Sequence, residues 1–377
     1  MLLNKLSLYN FKNISEATLE FSPKVNCLLG NNGMGKSNLL DAIYTLSHCR
    51  SFCGVTDAML IKNGADFATL RGSYTRRDTP EELTMAIRPG RRKSLKRGGK
   101  EYSRLTEHVG SFPIVMIAPH DIDLIRGSAE ERRRWMDMVI SQSSPRYLDA
   151  LLRYGTALEQ RNRMLRDGIV DHTLYDAVET VMDMAAQFIA DSRRRFTAEL
   201  TPMFASRYNA IAGHKPGEGE IAGLEYQSWQ GEDTEMSLRD LLDSARRHDE
   251  IVKHTSVGPH RDDIDMTLNS MSARRTASQG QCKTFTVALR LAQYEFLHKA
   301  TGMKPLLLLD DVFDKLDASR VEHIMKLATS RSSFGQIFIT DTNRTHLDDI
   351  MNITGGDYRM WEVNNGTFTP HNSATPI

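Results

Sequence analysis

The chain reads KVNCLLGNNGMGKSNLLDAIYTLSH from Lys24 to His48. Its centre, residues 30–37, fits the P-loop pattern GxxxxGK[ST]. The apolar run before it predicts a short strand, and the leucines and isoleucine after it, at helical spacing, predict an amphipathic helix. A strand, a glycine-rich turn and a helix form the context in which this pattern binds phosphate. An ordinary glycine turn is the alternative, and it would not need these flanking elements.

The groups of the P-loop have distinct expected roles. The backbone N–H groups and the start of the helix would surround the β- and γ-phosphates of ATP. Lys36 would reach the same phosphates as a catalytic cation, and the Ser37 hydroxyl would be a ligand of Mg²⁺. The residues expected to bind the cofactor are Gly30, Asn31, Asn32, Gly33, Met34, Gly35, Lys36, Ser37 and Asn38.

A second carboxylate-bearing stretch, LLLLDD, occupies residues 306–311. By itself it is consistent with a strand that runs into a turn. Together with a P-loop it predicts a Walker B strand, in which Asp310 holds Mg²⁺ through water and Asp311 polarises the attacking water. We therefore expect Asp310 to be a metal-site residue and Asp311 a catalytic one.

Residues 278–281, SQGQ, directly precede another predicted helix. They predict a second phosphate-binding helix N-terminus, with Ser278, Gln279 and Gly280 as cofactor-binding residues. The alternative is a polar loop that only caps the helix. The position of SQGQ shortly before LLLLDD favours the phosphate-binding interpretation.

Composition excludes several classes of protein. The chain has 377 residues, with 48 Lys plus Arg against 48 Asp plus Glu, so it is not a generally basic nucleic-acid coat protein. Its 40% hydrophobic and 25% charged residues exclude wholesale disorder. The apolar runs are too short for a membrane span, and the N-terminus does not resemble a signal peptide, which predicts a cytoplasmic protein without a membrane partner. The four cysteines have no metal-ligand spacing and are expected to be reduced.

The patterns along the chain predict three consecutive parts. Residues 1–118 and 253–377 have mixed α/β character, and residues 119–252 have largely helical periodicity. In the helical part, Ser128 and Glu131 predict a capping box, and a helix is expected to end or kink before Pro202. The fold class expected is α/β, interrupted by a mainly α-helical lobe.

A basic stretch is the best candidate for DNA contact. Between Arg88 and Arg104, eight basic residues accompany one acidic residue, with glycines that predict an exposed hairpin or loop. The residues that could neutralise DNA phosphates are Arg91, Arg92, Lys93, Lys96 and Arg97. A solvated basic loop is an equal alternative. The residues Arg132, Arg133 and Arg134 could likewise face DNA or form salt bridges between the helical lobe and the head.

In their order along the chain, GNNGMGKSN, SQGQ, LLLLDD, Leu316-Asp317 and Thr340-Asp341 resemble an ABC-type ATPase head, with SQGQ similar to a divergent LSGGQ signature. Further segments resemble the RecF family of DNA repair ATPases, which is related to the SMC proteins. They are LSLYNFKNI near the N-terminus, HCRSF at 48–52, APHD at 118–121, ERRRWMD at 131–137, QRN at 160–162 and VGPHRDD at 257–263. The resemblance extends from about residue 3 to residue 363.

The resemblance implies an ABC-type P-loop ATPase head, split by the helical lobe, that forms an ATP-dependent homodimer. In such a dimer Lys36 and Ser37 bind ATP in one protomer, while Ser278 and Gly280 contact the γ-phosphate held by the other. Hydrolysis, slow and stimulated by DNA, then releases the clamp. The resemblance also implies binding to single-stranded and duplex DNA at gap junctions. It further implies cooperation with RecO and RecR in loading RecA, and support of SOS induction.

Three departures from general ABC heads stand beside the resemblance. Asp311 replaces the usual Glu, which shortens the reach to water. No Q-loop glutamine is evident, and His120 and Asp121 occupy that region without an assigned role. Thr340-Asp341 stands where most transporter ATPases have a His.

Two rival functions remain open from the sequence. A transporter ATPase usually has fewer residues between P-loop and signature. A small-metabolite kinase would have no use for SQGQ. The HRDD stretch at 260–263 superficially resembles a catalytic cluster, and we predict that it is instead a structural hinge where the chain re-enters the head.

Overall fold

The computed structural model describes residues 1–214, 219–312, 334–345, 347–348 and 358–371. The chain forms two compact units. The first, here called the head unit, comprises Met1–Asp121, Asn209–Pro216 and Thr286–Ile377. The second, the lobe unit, comprises Ile122–Tyr208 and Gly217–Phe285. The head unit is an α/β structure and the lobe unit is mainly helical, which confirms the predicted fold class.

The P-loop strand lies inside a mainly parallel sheet of the head unit. The strand order is β15-β14-β3-β13-β12-β8, and only the pairing of β15 with β14 is antiparallel. The strands β3, β13 and β12 are mostly apolar and buried on both faces, as expected for a parallel sheet, whereas β14 has exposed residues at Arg359, Glu362 and Asn364. The strands are β3 (Val25–Leu29), β8 (Ile114–Ile117), β12 (Leu306–Asp310), β13 (Ile337–Asp341), β14 (Tyr358–Asn364) and β15 (Thr367–Pro370).

A second sheet of the head unit has six antiparallel strands in the order β2-β1-β4-β5-β6-β7. Along β1 the buried Leu6 and Leu8 alternate with the exposed Lys5 and Tyr9, so the sheet has one face in the core and one in solvent. The strands are β1 (Leu2–Phe11), β2 (Ile14–Glu20), β4 (Ala68–Arg76), β5 (Thr79–Ile87), β6 (Ser94–Arg97) and β7 (Lys100–Glu101).

The P-loop helix, α1 (Lys36–His48), contacts strands of both sheets. Every residue from Leu39 to His48 is buried. The expectation of an amphipathic helix was therefore wrong, because a helix enclosed between two sheets has no face left for solvent. Its buried polar side chains need internal partners, and Asp41 has three, which are described below.

The lobe unit consists of helices and one small sheet. Ser128 and Glu131 form the predicted capping box at the start of α3, with the Ser128 N–H donating to Glu131 Oε2 over 2.7 Å. The helices are α2 (Asp123–Arg126), α3 (Ala129–Ser143), α4 (Pro145–Asp167), α5 (His172–Ala212), α6 (Leu238–Val252) and α7 (Ala273–Thr276). The helix α5 ends in the head unit, and α8 (Gln279–Thr301) begins in the lobe unit and ends in the head unit.

The lobe unit is longer than the predicted 119–252. It begins after Asp121, and it includes the segment from 253 to Phe285 that the sequence suggested would belong to the α/β part. The reason is a strand pairing. In a sheet ordered β11-β10-β9, β10 (Asp263–Leu268) pairs along its full length with β9 (Ala222–Gln227) of the lobe, and β11 (Met271–Ser272) follows. The β structure after Gly258 therefore starts inside the lobe.

Helix α5 continues through Pro202 to Ala212, so of the two predicted alternatives, an end or a kink before Pro202, the first was wrong. A proline inside a helix removes one backbone hydrogen bond and costs about 3 kcal/mol. The side chains of Phe204, Tyr208 and Ile211 beyond it are almost completely buried. Their burial offsets the proline and keeps this segment helical.

Some expectations fall beyond the part that the structure describes. Leu316-Asp317, the stretch after the Walker B strand, lies outside the described residues. Within the described ranges, none of the helices has both the length and the apolar character required to cross a bilayer.

Candidate functional site

The P-loop connects the end of β3 to the start of α1, as its sequence predicts. The Gly30 N–H donates to the Asp341 carbonyl of the neighbouring strand β13 over 3.3 Å. A Cβ atom at Gly30 would lie 2.4 Å from the Val363 carbonyl oxygen, so only glycine fits at this point. The loop therefore begins at the carboxyl edge of the parallel sheet, packed against strand β14.

Lys36 lies across the P-loop. Its side chain is buried, and its Nζ donates to the carbonyl oxygens of Gly30 at 2.7 Å and Asn31 at 3.1 Å. Among the described residues no carboxylate pairs with this ammonium group. A buried cation held only by carbonyl dipoles favours a nearby anion. Lys36 therefore fits the predicted role of a phosphate-binding cation.

The Ser37 hydroxyl and the Asp310 carboxylate come together at the same edge. Ser37 Oγ donates to Asp310 Oδ1 over 2.8 Å, although the two residues are 273 positions apart. Thr340 Oγ1, on the adjacent strand, donates to the same oxygen over 2.8 Å. Hydroxyl and carboxylate oxygens are ligands that Mg²⁺ accepts alongside water and nucleotide phosphates. This pair fits a magnesium site that is completed by the nucleotide.

Asp311 is the residue immediately after β12 and has a left-handed backbone conformation, with φ at 44°. Aspartate tolerates this region better than most residues. Its N–H donates to Thr340 Oγ1 over 2.9 Å, so one threonine holds both residues of the Walker B pair. These bonds fix the backbone from which the Asp311 side chain projects. Such a fixed backbone suits a residue that has to be positioned beside a reacting water.

The predicted signature residues form the N-terminus of α8, in the lobe unit. Ser278 Oγ accepts from the Gln281 N–H at 3.2 Å, and the Ser278 N–H donates to Gln281 Oε1 at 2.7 Å, which is a reciprocal capping box. The cap uses a lone pair of the serine oxygen, so its O–H can still donate to an anion. Gln279 and Gly280 occupy the first helical turn, where N–H groups lack intrahelical acceptors. The two interpretations of SQGQ are therefore compatible.

The basic stretch forms the hairpin β6–β7, closed by Gly98 and Gly99 with φ values of 55° and 81°. Two of its five candidate DNA contacts are engaged elsewhere. Lys93 Nζ lies 2.6 Å from Asp57, and Arg97 Nη2 donates to Glu81 over 2.7 Å. Although burial opposes it, the bonds from Arg97 hold the pKa of Glu81 below its usual value. The three remaining candidates, Arg91, Arg92 and Lys96, are exposed, and none has an acidic partner in the described part of the chain.

The three consecutive arginines on α3 are engaged within the lobe unit. Arg132 makes two bonds to the Asp263 carboxylate at 2.7 and 2.8 Å. Arg133 donates to the Asp262 carbonyl at 2.6 Å, and Arg134 pairs with Glu130 one turn earlier. Arg132 therefore forms a salt bridge within the lobe unit, and not one between lobe and head as expected, while Arg133 binds a backbone carbonyl.

The HRDD stretch is built into the same buried network. The ring of His260 bonds the Tyr154 hydroxyl at 2.7 Å and the Thr255 carbonyl at 3.0 Å. Burial lowers the pKa of His260 to about 4, so the ring is neutral at physiological pH. Asp262 pairs with the buried Arg193 at 2.6 Å. These partners support a structural rather than a catalytic role, but the stretch lies inside the lobe unit and not, as predicted, where the chain re-enters the head.

Sequence reasoning missed Asp41, a fully buried carboxylate on α1. It accepts hydrogen bonds from the Ser51 hydroxyl and the Phe52 N–H, both at 2.7 Å, and pairs with Lys12 at 2.6 Å. The segment HCRSF is thereby tied to the P-loop helix. The available signal was an aspartate inside an otherwise apolar helical run, because a buried carboxylate requires such partners.

The region after β8, which lacks an evident Q-loop glutamine, contains the exposed His120 and the buried Asp121. The Asp121 carboxylate accepts from Arg290 Nη2 at 2.6 Å and from the Ala118 N–H at 2.9 Å. His120 is exposed, and its ring lies 4.8 Å from that of Phe52. The two residues therefore have different environments, and Asp121 fixes the turn.

Comparison with known proteins places this geometry in a family. The family model RecF/RecN/SMC N terminal domain matches residues 2–360. The DNA replication and repair protein RecF of Parabacteroides distasonis is 46% identical over 370 residues, which cover 98% of this chain and 99% of the relative. The protein of the same name from Porphyromonas gingivalis is 44% identical over 368 residues, covering 97% and 99%.

Solved structures agree with this relationship. The recombination mediator protein RecF of a RecFOR pathway, in complex with ATP, superimposes with a TM-score of 0.86 at 28% identity, covering 98% of this chain and 99% of that one. The Smc head domain of Pyrococcus furiosus, bound to the C-terminal domain of ScpA, gives 0.57 at 16% identity, covering 98% and 96%. The second likeness concerns the fold alone, and it is that of an ABC-type ATPase head.

Proposed function

Because this chain belongs to the RecF family of DNA replication and repair proteins, we propose that it is an ATP-dependent switch that binds DNA during recombinational repair. ATP closes two copies into a dimer on single-stranded and duplex DNA at gap junctions, and hydrolysis reopens it. The dimer assists RecO and RecR in loading RecA and supports SOS induction. The observation that carries the proposal is the 2.8 Å contact between Ser37 and Asp310, which joins P-loop and Walker B at one edge.

Different residues of the head unit bind the phosphates, hold Mg²⁺ and orient the attacking water. Lys36 exchanges its carbonyl partners for the β- and γ-phosphates, and the glycines allow backbone N–H groups to approach them. Ser37 and Asp310 hold Mg²⁺, which neutralises charge on the phosphates. Asp311 orients the attacking water, and its short side chain makes hydrolysis slow enough for a switch.

Dimerisation links the two ATP sites. In the closed dimer, Ser278 and the N–H groups of Gln279 and Gly280 contact the γ-phosphate bound by the partner copy. ATP is then part of the interface, so nucleotide affinity and dimer affinity must raise each other. A transporter ATPase or a metabolite kinase is disfavoured, because the full-length relatives are repair proteins.

The test is the mass of the protein in solution with Mg²⁺ and ATP, with ADP and without nucleotide, each with and without gapped duplex DNA. We expect a monomer that becomes a DNA-bound dimer only with ATP. A species that remains monomeric and ignores DNA under all conditions would eliminate the switch.

Two exposed arginines in the loop between β5 and β6 provide a second prediction. The double substitution Arg91→Gln and Arg92→Gln should weaken DNA binding and reduce the slope of log affinity against log salt by roughly 1 to 2, because each phosphate contact contributes about 0.9. Fluorescence anisotropy across a salt series measures both. Arg153→Gln with Arg163→Gln, two exposed arginines of α4, is the matched control. An unchanged salt slope would show that this basic segment is a solvated loop that does not contact DNA.

A further inference from the structure

The turn between β1 and β2, formed by Lys12 and Asn13, holds the beginning of the P-loop helix. Lys12 Nζ lies 2.6 Å from the Asp41 carboxylate, and Asn13 Oδ1 accepts a hydrogen bond from Asn38 Nδ2 at 2.8 Å. Asn38 and Asp41 are separated by one turn of α1, so two adjacent turn residues contact one face of the helix. The antiparallel sheet is thereby joined to the start of α1.

Asn13 also contacts the P-loop itself. Its Nδ2 donates to the Met34 carbonyl oxygen at 3.3 Å. The same oxygen accepts the N–H of Gly366, in the turn between β14 and β15, at 2.7 Å. A carbonyl oxygen has two lone pairs and can accept both bonds. Two turns from opposite ends of the chain therefore hold one P-loop carbonyl.

The neighbouring glycines show how closely these turns pack. Gly35 has φ at 112°, and a Cβ atom there would lie 2.9 Å from both terminal atoms of the Asn13 amide. A Cβ atom at Gly366, where φ is 80°, would lie 2.6 Å from the Asn13 carbonyl oxygen. Asn13 is consequently enclosed by two positions that accept only glycine.

We propose that Asn13 is a positioning residue that orients the Met34–Gly35 peptide for phosphate binding. A trans peptide is planar, so its N–H points away from its C=O. The donors from Asn13 and Gly366 hold the Met34 oxygen on their side, which directs the Gly35 N–H to the opposite side, towards the bound phosphates. This inference rests on the proposed ATP site, since it assigns one backbone donor of that site to the control of Asn13.

Two substitutions test the role of the Asn13 amide. Asn13→Ala removes the donor to Met34 and the acceptor for Asn38, and it should raise the Kd for Mg²⁺-ATP and Mg²⁺-ADP about tenfold. Asn13→Asp keeps the size and the acceptor but places a carboxylate oxygen against the Met34 carbonyl. It should weaken binding at least as much. Isothermal titration calorimetry measures the constants.

A matched control separates positioning from general stability. Asn4 lies on β1, the strand that leads into the Lys12–Asn13 turn, and its amide donates to the Thr75 hydroxyl at 2.8 Å. Asn4→Ala should leave both nucleotide constants unchanged. The unfolding temperature without nucleotide is measured for all variants. A variant that unfolds at lower temperature but binds ATP like the wild type has lost only a structural contact, and this result would overturn the positioning role.

The outcomes distinguish this inference from the proposed function. If the wild-type protein binds neither ATP nor ADP, the nucleotide site itself is wrong and the inference fails with it. If the wild type binds ATP and Asn13→Asp binds it equally well, only the role of Asn13 is wrong. If both Asn13 variants bind more weakly while Asn4→Ala does not, the amide of Asn13 controls the site.

Discussion

Lys36→Ala should abolish ATP-dependent dimerisation. The ammonium group is almost fully buried, and within the described ranges it is bonded to carbonyl oxygens and to no carboxylate, so it can neutralise the phosphates of bound ATP. Losing a charge-assisted contact to phosphate costs about 3 kcal/mol, which corresponds to a rise in the Kd for ATP of roughly a hundredfold. Calorimetry measures the affinity, and light scattering measures the dimer fraction with ATP.

The control for this substitution is Lys5→Ala, which removes an exposed lysine on the solvent face of β1. It should leave affinity and dimer fraction unchanged. Lys36→Ala also leaves the carbonyls of Gly30 and Asn31 without their donor, so its unfolding temperature without nucleotide has to be compared with that of the wild type. A folded Lys36→Ala protein with an undiminished ATP-dependent dimer fraction would contradict the clamp.

Ser278→Arg should prevent dimerisation without preventing ATP binding. The monomer is expected to bind ATP, but no dimer should form. In the proposed dimer the Ser278 hydroxyl approaches the γ-phosphate of the partner copy, and a bulky side chain at this helix start would prevent closure. Ser278 is not one of the proposed ligands of the ATP in its own copy, so the Kd of the monomer for ATP should change less than about threefold. The readouts are ATP affinity at low protein concentration and mass at high concentration.

Two further substitutions separate closure from loss of the helix cap. Ser278 caps α8, and replacing it with a residue that cannot cap costs about 1 kcal/mol. Ser278→Asp keeps a good cap but adds a negative charge, so it should also prevent dimerisation by repelling the γ-phosphate. Ser278→Asn keeps the cap without charge and should retain most of the dimer. Loss of ATP binding together with dimerisation in Ser278→Arg would indicate a misfolded head instead.

The candidate nucleotide site could be predicted largely from local patterns. The strand, turn and helix around Lys36 are adjacent in sequence, and backbone sterics with short-range periodicity decide such elements. The carboxylate pair after the apolar run of β12, the capping box at Ser128 and the glycine turn at Gly366 are local in the same sense. Each depends on residues within a few positions of one another.

The contact of Asn13 with Met34 could not be predicted in this way. Neither residue indicates the other, because their meeting depends on the packing of the β1–β2 turn against the P-loop. The ion pairs of the basic stretch were equally unpredictable. Only the folded chain shows that Lys93 pairs with Asp57 and that Arg97 pairs with Glu81. The charge of a segment is a property of its sequence, but its availability to DNA is a property of its neighbours.

By itself, then, the sequence determined the fold class, the P-loop and the Walker B strand, because propensity, periodicity and turn chemistry act over short distances. The tertiary structure alone decided that α1 is buried on both sides and that α5 passes through Pro202. It also decided which cations remain free of acidic partners among the described residues. These features depend on contacts between distant segments, in which the free energy of burial overrides local preference.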